Sequence, residues 1–210
     1  MPSDVNSSES RAARTWHRGV TLASVSDAAL RVLDRDGRAA LTMRRLAAEL
    51  DVAPPSLYAH VASKAALIDL VLERVLAGVE LPPLSEHPQG DLIAGFVAYR
   101  RALLNHPEAA LLLVEEPRLS AVSVRLVERS LGLLTGLGLP LDEAVDRHVA
   151  AVAFMLGWVF QELMPAKVAP GISLDAPLLA AAMEQVRTQG ADERFAKGLR
   201  LILDCDPIVR

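Results

Sequence analysis

Apolar residues recur along the chain at three- and four-residue intervals, while no stretch alternates apolar and polar positions over six residues between turn residues. The pattern predicts an all-α chain. A first helix is expected from Thr21 to Asp36, with Leu22, Val25, Ala29, Val32 and Leu33 on one stripe and Gly37 as its stop. Thr42 is a good N-cap for a short second helix whose Met43, Leu46, Ala47 and Leu50 share a face. Asp51-Val52-Ala53 then makes a turn, and Pro54-Pro55 opens a third short helix. Proline is tolerated there because first-turn N–H groups have no intrahelical acceptor. Ser63 caps a fourth helix from Lys64 to about Ala77, with Leu67, Ile68, Val71, Leu72, Val75 and Leu76 along a wide stripe.

The stretch Leu81 to Gly90, LPPLSEHPQG, reads as a linker because of its three prolines and its glycine. Beyond it, helices are expected over 91–105, 109–114 (closed by Pro117), 120–135, 142–163, 176–189 and 192–203, with a Pro/Gly-rich loop from Pro165 to Ser173. That makes about ten helices, four before the linker and six after it, with no tandem repeat. The expected organisation is a flexible basic arm at 1–20, a small helical domain at 21–79 and a larger one at 91–204.

Composition sharpens this picture. With 210 residues, 51% of them apolar, the chain has ample material for buried cores and is too hydrophobic for overall disorder. No run approaches the roughly 18 consecutive apolar residues that a spanning helix needs. The polar N-terminus lacks the apolar region of a secretory signal, and the single Cys205 fits a reducing compartment, so the expected location is cytoplasmic. The net charge of −4 is divided unevenly: residues 1–75 carry +1 and the rest carry −5. Arg11, Arg14 and Arg18, around Trp16 and His17, form an arm with no acid between them. Such an arm suits a phosphate backbone, and it equally suits a solubilising tail; charge alone leaves both open.

The second and third helices, separated by a tight turn, have the spacing of a helix-turn-helix and also of an ordinary αα-corner. Leu46, Leu50, Val52, Leu57 and Val61 would pack the pair onto the first helix, leaving Arg44, Ser56, Tyr58 and His60 outward. In a DNA-reading pair, the recognition helix sets its N-terminal residues against base edges while neighbouring donors hold phosphates.

Residue detail separates the two readings. The run Leu41 to Leu67, LTMRRLAAELDVAPPSLYAHVASKAAL, resembles the DNA-binding domain of the tetracycline-repressor family along its whole length. The resemblance is carried by Thr42, Leu46-Ala47, the turn Leu50-Asp51-Val52, Leu57-Tyr58-Ala59-His60 and Lys64. Asp51 stands where the family's turn has glycine; aspartate tolerates a left-handed backbone better than most residues, so the turn should survive with some strain. The resemblance implies that Arg44 reaches a base edge, with guanine O6 and N7 suited to its fork. It implies that Pro55, Ser56 and His60 meet bases or thymine methyls, and that Thr42, Tyr58 and Lys64 hold phosphates. Arg45 reads as a solvated residue, and Ala59 occupies a position often aromatic in the family, which weakens any transfer of an operator sequence.

The larger part lacks the marks of an active site. No HExxH, CxxC, Walker loop or Gly-x-Ser-x-Gly occurs, and neither a cofactor nor a metal site is expected. His87, His106 and His148 read as surface or linker residues, and Glu115-Glu116 as a solvated helix end. In AVAFMLGWVFQEL, Phe154, Trp158 and Gln161 share one arc beside a stripe of Ala150, Ala153 and Gly157; Phe96, Tyr99 and Leu103 share another. Aromatic stripes of this kind serve as plain core or line a pocket. YRRALLNH at Tyr99–His106, FMLG at Phe154–Gly157 and RTQGADERFAKGLRLIL near the end are similar to segments of the family's regulatory domain. The resemblance then implies a small molecule enclosed by Phe96, Tyr99, Leu103, Leu113, Phe154, Trp158 and Gln161. It also implies a homodimer through the eighth and last helices, with Ala150, Gly157, Gly198, Leu199 and Ile202 allowing close approach. Members that bind magnesium–tetracycline use a histidine on the sixth helix and a carboxylate late in the eighth. The matching positions here are Leu113 (Leu112 if the alignment slips by one) and Gln161, and leucine cannot ligate magnesium.

The resemblance thus implies a homodimeric, ligand-responsive repressor. It would bind a palindromic double-stranded operator and be released by a small apolar or amphipathic effector, without a metal and without a membrane. Two rivals are a constitutive DNA-binding regulator whose pocket is filled by its own aromatics and, from another class, an all-α enzyme with an N-terminal adaptor domain.

Overall fold

The computed structural model describes residues 20–81, 83–115, 119–165 and 176–203. The basic arm, Glu116, the loop after Pro165 and Cys205 lie outside the described residues. Ten α-helices and one 3-10 turn (Arg38–Ala40) are present among the described residues. They are α1 (Leu22–Asp36), α2 (Met43–Glu49), α3 (Pro54–Tyr58), α4 (Lys64–Ala77), α5 (Pro88–Leu104), α6 (Pro107–Glu115), α7 (Ala121–Gly136), α8 (Leu141–Leu163), α9 (Pro177–Thr188) and α10 (Ala191–Leu203). The all-α expectation holds. α5 and α6 each start earlier than expected because Pro88 and Pro107 occupy a first helical turn, where the missing N–H costs nothing. Residues 88–90 therefore belong to a helix and not to the linker.

The chain divides into two compact units, one of residues 20–77 with 106–120 and the other of 78–105 with 121–203. In the first unit α1 is the central rod, with α2, α4 and α6 packed on it. It starts with a reciprocal cap: the Thr21 hydroxyl accepts from the Ser24 N–H at 3.1 Å, and the Thr21 N–H donates to Ser24 Oγ at 2.9 Å. Val25, Ala28, Ala29, Val32 and Leu33 are fully buried, whereas Leu22, expected on the same stripe, is half exposed. All six apolar residues expected on the α4 stripe are buried.

Three polar contacts tie α6 and its flank into this unit. Arg38 Nε lies 3.0 Å from Glu108, its Nη1 pairs with Glu115, and His106 Nδ1 lies 2.8 Å from Asp34. Glu115 is exposed at its helix end, as expected, yet engaged, and His106 is half-buried and engaged where a surface or linker histidine was expected. The turn after α2 is equally specific. Val52 N–H donates to Ala47 C=O at 2.9 Å and Asp51 N–H to Ala48 C=O at 3.3 Å, the paired bonds that close a helix through a left-handed residue. That residue is Asp51, at φ 53°, which among the described residues is the one non-glycine with positive φ.

In the second unit α5 contacts α7, α8 and α10, and α8 contacts α7 and α10. The core is built from Leu92, Phe96 and Leu103 of α5, Leu134 of α7, Met155 and Val159 of α8, and Phe195, Leu199 and Leu203 of α10. No residue of α9 is buried within the chain.

The left-handed Asp51 yields a stability prediction. Asp51 is exposed, so substitutions there act through the backbone alone. Asp51→Gly removes a left-handed penalty of about 1–2 kcal/mol but frees the unfolded chain, for a net gain of up to about 1 kcal/mol. Asp51→Val, branched at Cβ, should cost about 1–3 kcal/mol at that φ. Urea denaturation of the two variants checks both signs.

Candidate DNA-binding surface and regulatory site

The Thr42 side chain caps α2, its Oγ1 accepting from Arg45 N–H at 3.1 Å. One residue inside the helix, Arg44 is exposed and makes no ion pair among the described residues. Its neighbour Arg45 is engaged: Nη2 lies 3.0 Å from Asp36 and Nη1 3.3 Å from Glu49. Arg35 joins the same carboxylates at 2.9 Å each, and this array, Arg35 foremost, lowers the Asp36 carboxyl to about 2. Arg45 is therefore locked to α1 and is not a freely solvated side chain.

Ala53, in extended backbone, leads into α3, whose first two residues are Pro54 and Pro55. Leu57 points into the core and is fully buried, while Pro55 and Tyr58 are exposed and Ser56 is half-buried. The helix ends at Tyr58, so His60, expected on it, lies in the following turn, held by its N–H donating to Leu57 C=O at 2.9 Å. Val61 is buried beneath it. Ser63 then caps α4 by accepting from Ala66 N–H at 3.1 Å, and Lys64 at the first helical position is exposed. The structure thus gathers Thr42, Arg44, Pro55, Ser56, Tyr58, His60 and Lys64 on two short helices and their flanks. Of these Ser56 is half-buried and the rest are exposed.

The expected regulatory residues divide. Leu113 belongs to the first unit, where it is buried on α6; Phe96, Tyr99, Leu103, Phe154, Trp158 and Gln161 belong to the second. Phe96 and Leu103 are core residues and Gln161 is exposed. Phe154 and Trp158 face α10: their rings lie 5.2 Å apart and 5.6 and 5.8 Å from the Phe195 ring. That cluster is filled by its own aromatics. Tyr99 makes no hydrogen bond among the described residues, and burial pushes its phenol up to about 12.

Two polar features went unread in the sequence. His148 is no surface histidine: its Nδ1 lies 2.9 Å from Ser130 Oγ, its ring centroid lies 6.4 Å from that of Phe96, and burial lowers its pKa. The buried Arg100 of α5 is bidentate to Glu162 of α8 at 2.9 and 2.6 Å, pairs with Asp192 of α10, and lies 5.4 Å over the Phe195 ring. Trp158 Nε1 donates to the same Glu162 at 3.1 Å. The sequence signal was a cation inside an apolar stripe, since Arg100 follows Phe96 by four residues and precedes Leu103 by three.

The expected dimer residues also need correction. Ala150 and Gly157 are exposed on α8, and Gly157 has open space beside it. Leu199, however, is fully buried in its own unit and has no surface to offer a partner. Gly198 accommodates the Phe154 ring, into which a Cβ at that position would collide. Ile202 is half-buried.

An exposed arginine at the start of a capped helix, a proline-opened second helix and a separate helical unit define a helix-turn-helix regulator. The comparisons agree. The family described as "Bacterial regulatory proteins, tetR family" matches residues 25–71, and "Tetracyclin repressor-like, C-terminal domain" matches residues 86–205. The chain is 31% identical over 189 residues to the tetracycline repressor protein class D of Escherichia coli, covering 86% of each. It is 34% identical over 144 residues to an HTH-type transcriptional regulator of Saccharopolyspora erythraea, covering 68% of this chain and 61% of that one. Streptomyces coelicolor ActR, solved in complex with actinorhodin, superposes with a TM-score of 0.74 at 26% identity, covering 89% of this chain and 95% of that one. The chain belongs to the tetR family of bacterial regulatory proteins: it is a DNA-binding, ligand-responsive transcriptional regulator that works as a homodimer. The matched relatives are regulators of transcription, and no described helix is long and apolar enough to cross a membrane.

The free and the engaged cations should behave differently on DNA. Arg44→Ala should cost about 1–3 kcal/mol on the preferred site and relax preference at one base pair, while Lys64→Ala lowers the slope of log affinity against log salt by about one. Fluorescence anisotropy on specific and scrambled duplexes at several salt concentrations measures both. An equal loss on every sequence would make Arg44 a phosphate contact.

Proposed function

We propose that this chain is a repressor released from a near-palindromic operator by a small apolar or amphipathic effector, acting in the cytoplasm and without catalysis. The observation that carries the reading is the unpaired Arg44 at the head of a capped helix beside a proline-opened one, in a chain with a separate regulatory unit. Thr42, Tyr58 and Lys64 hold phosphates, and Arg44, Pro55, Ser56 and His60 meet base edges. Residues 21–79, with α6 (Pro107–Glu115) packed on them, form the DNA-binding domain and the rest of 91–204 the regulatory and dimerisation domain, with the arm at 1–20 adding sequence-independent affinity.

The effector lies among Phe96, Tyr99, Leu103, Phe154, Trp158 and Gln161 of the second unit, and entry there displaces the packed rings of Phe154, Trp158 and Phe195. Tyr99, a half-buried phenol with no hydrogen bond among the described residues, supplies the orienting hydrogen bond, with His148 and Ser130 near Phe96. Two residues after the end of α5 the chain enters α6, which is packed on α1 and α4. An effector that prefers one arrangement of α5 therefore biases the helix that braces the DNA-binding unit, and only that difference in affinity drives release. Leu113 offers no metal donor, and Glu162, the carboxylate beside Gln161, is held by Arg100 and Trp158. The residues do not fit a magnesium-anchored ligand.

Selecting bound fragments from a random DNA pool with purified protein should enrich one near-palindromic site; a pool that gains no consensus overturns the reading. For the dimer, the exposed apolar face of α8 (Val145, Val149, Gly157, Phe160) is the interface with the partner's equivalent. Gly157→Leu should overpack it and lower dimerisation and operator binding together in analytical ultracentrifugation and gel-shift assays. An unaltered dimer would put the interface elsewhere.

A further inference from the structure

A groove of about 550 Å³ lies within the second unit along one flank of α5, bordered by α10 and by Glu80. Its size falls in the range of about 300–1,000 Å³ typical of small-molecule sites. The floor is apolar, made by Ile93, Ala94, Val97 and Ala98 on successive turns of α5. By helical periodicity this flank is a different face from that of Phe96, Tyr99 and Leu103. Polar groups stand at the ends and the rim: Gln89 near the start of the helix, Arg101 near its finish and Arg200 from α10. Gln89 and Arg101 are twelve residues apart, about 18 Å along the axis, so the groove is elongated.

Two guanidiniums and one carboxylate, Glu80, line the groove. Arg101 is pre-oriented by Asp192, which engages its Nε and Nη2 and leaves Nη1 without a bond. Arg200 has no carboxylate within ion-pair distance among the described residues, although the arginines at 100, 101, 147 and 187 in the same unit all do. Gln89 is fixed by its amide N–H donating to Leu203 C=O at 3.3 Å. An unpaired guanidinium beside an apolar trough matches a molecule with one anionic head and an apolar body.

We propose that this groove binds an elongated amphipathic organic anion, its carboxylate on Arg200 and its chain along Ile93, Val97 and Ala98. The site is additional to the effector position among Phe96 and Tyr99, and a molecule lying there bridges α5 to α10. Calorimetry on the full-length protein without DNA tests it, with decanoate as probe and decanol and decylammonium as its neutral and charge-reversed counterparts. Decanoate should bind saturably, one per chain, and both counterparts at least about tenfold more weakly, a difference of about 1.4 kcal/mol. Arg200→Glu should weaken decanoate by at least about tenfold, and Ala94→Trp, which fills an exposed position in the trough, should abolish binding, with unchanged circular dichroism in both. Absence of binding at millimolar decanoate overturns the proposal, as does equal binding of decanol or an affinity that survives Arg200→Glu. Loss in Tyr99→Ala with retention in Ala94→Trp also overturns it, by placing the anion on the other face. Since no step involves DNA, failure here leaves the repressor reading untouched, and failure to select an operator leaves the groove untouched.

Discussion

A helix of five residues, two of them prolines, cannot hold itself together. Nucleating the first turn is unfavourable, and isolated helices shorter than about 12 residues are marginal even with the best sequences. α3 therefore exists only because Leu57 is withdrawn completely from water, as are Leu46 before it and Val61 after it. Burying one leucine is worth about 1.5–3 kcal/mol, enough to offset the poor nucleation once α2 supplies a packing surface. The DNA-reading surface is thus a property of the tertiary packing of the first unit. Its aim depends on two local devices: the Thr42 cap that starts α2 and the left-handed Asp51 that ends it.

The second unit is organised by the opposite kind of interaction, a buried charge. Arg100 is nearly inaccessible, yet it meets carboxylates from two other helices and the face of Phe195. Desolvating such ions is expensive, and apolar replacements are often as stable, so the cluster contributes geometry more than net stability. It fixes the register of α5 against α8 and α10 at the level where Phe154, Trp158 and Phe195 stack. Gly198 belongs to the same arrangement, because the Phe154 ring takes the space of its absent side chain.

Legibility in the sequence followed the range of the forces involved. Caps, proline-opened turns and apolar stripes are local, so α1, α2, α3 and α4 came out within a residue or two, and so did the tolerance of Asp51 for positive φ. Helix starts at Pro88 and Pro107 were placed late because a proline reads equally as linker and as first helical residue. Pairings across the sequence were not legible: Arg38 with Glu108 spans 70 residues and Arg100 with Asp192 spans 92. Nothing in one helix says which carboxylate its arginine will meet. The same blindness put Leu199 and Gly198 on a dimer surface, since a small or apolar residue looks alike whether it faces its own core or a copy of itself.

The arginines resolve how a chain of net charge −4 can read an anionic polymer. Charge summed over the chain hides a division of labour. Around the helix-turn-helix, Arg35 and Arg45 are held by Asp36 and Glu49 and brace α2 against α1. Each such pair is electrically quiet at the distance of a DNA backbone, because the fields of opposite charges a few ångströms apart largely cancel. Arg44 and Lys64 make no such pair among the described residues and keep their full field. Asp36 and Glu49 therefore work for the interface by immobilising the cations that must not move, which leaves the cations that must reach DNA unopposed.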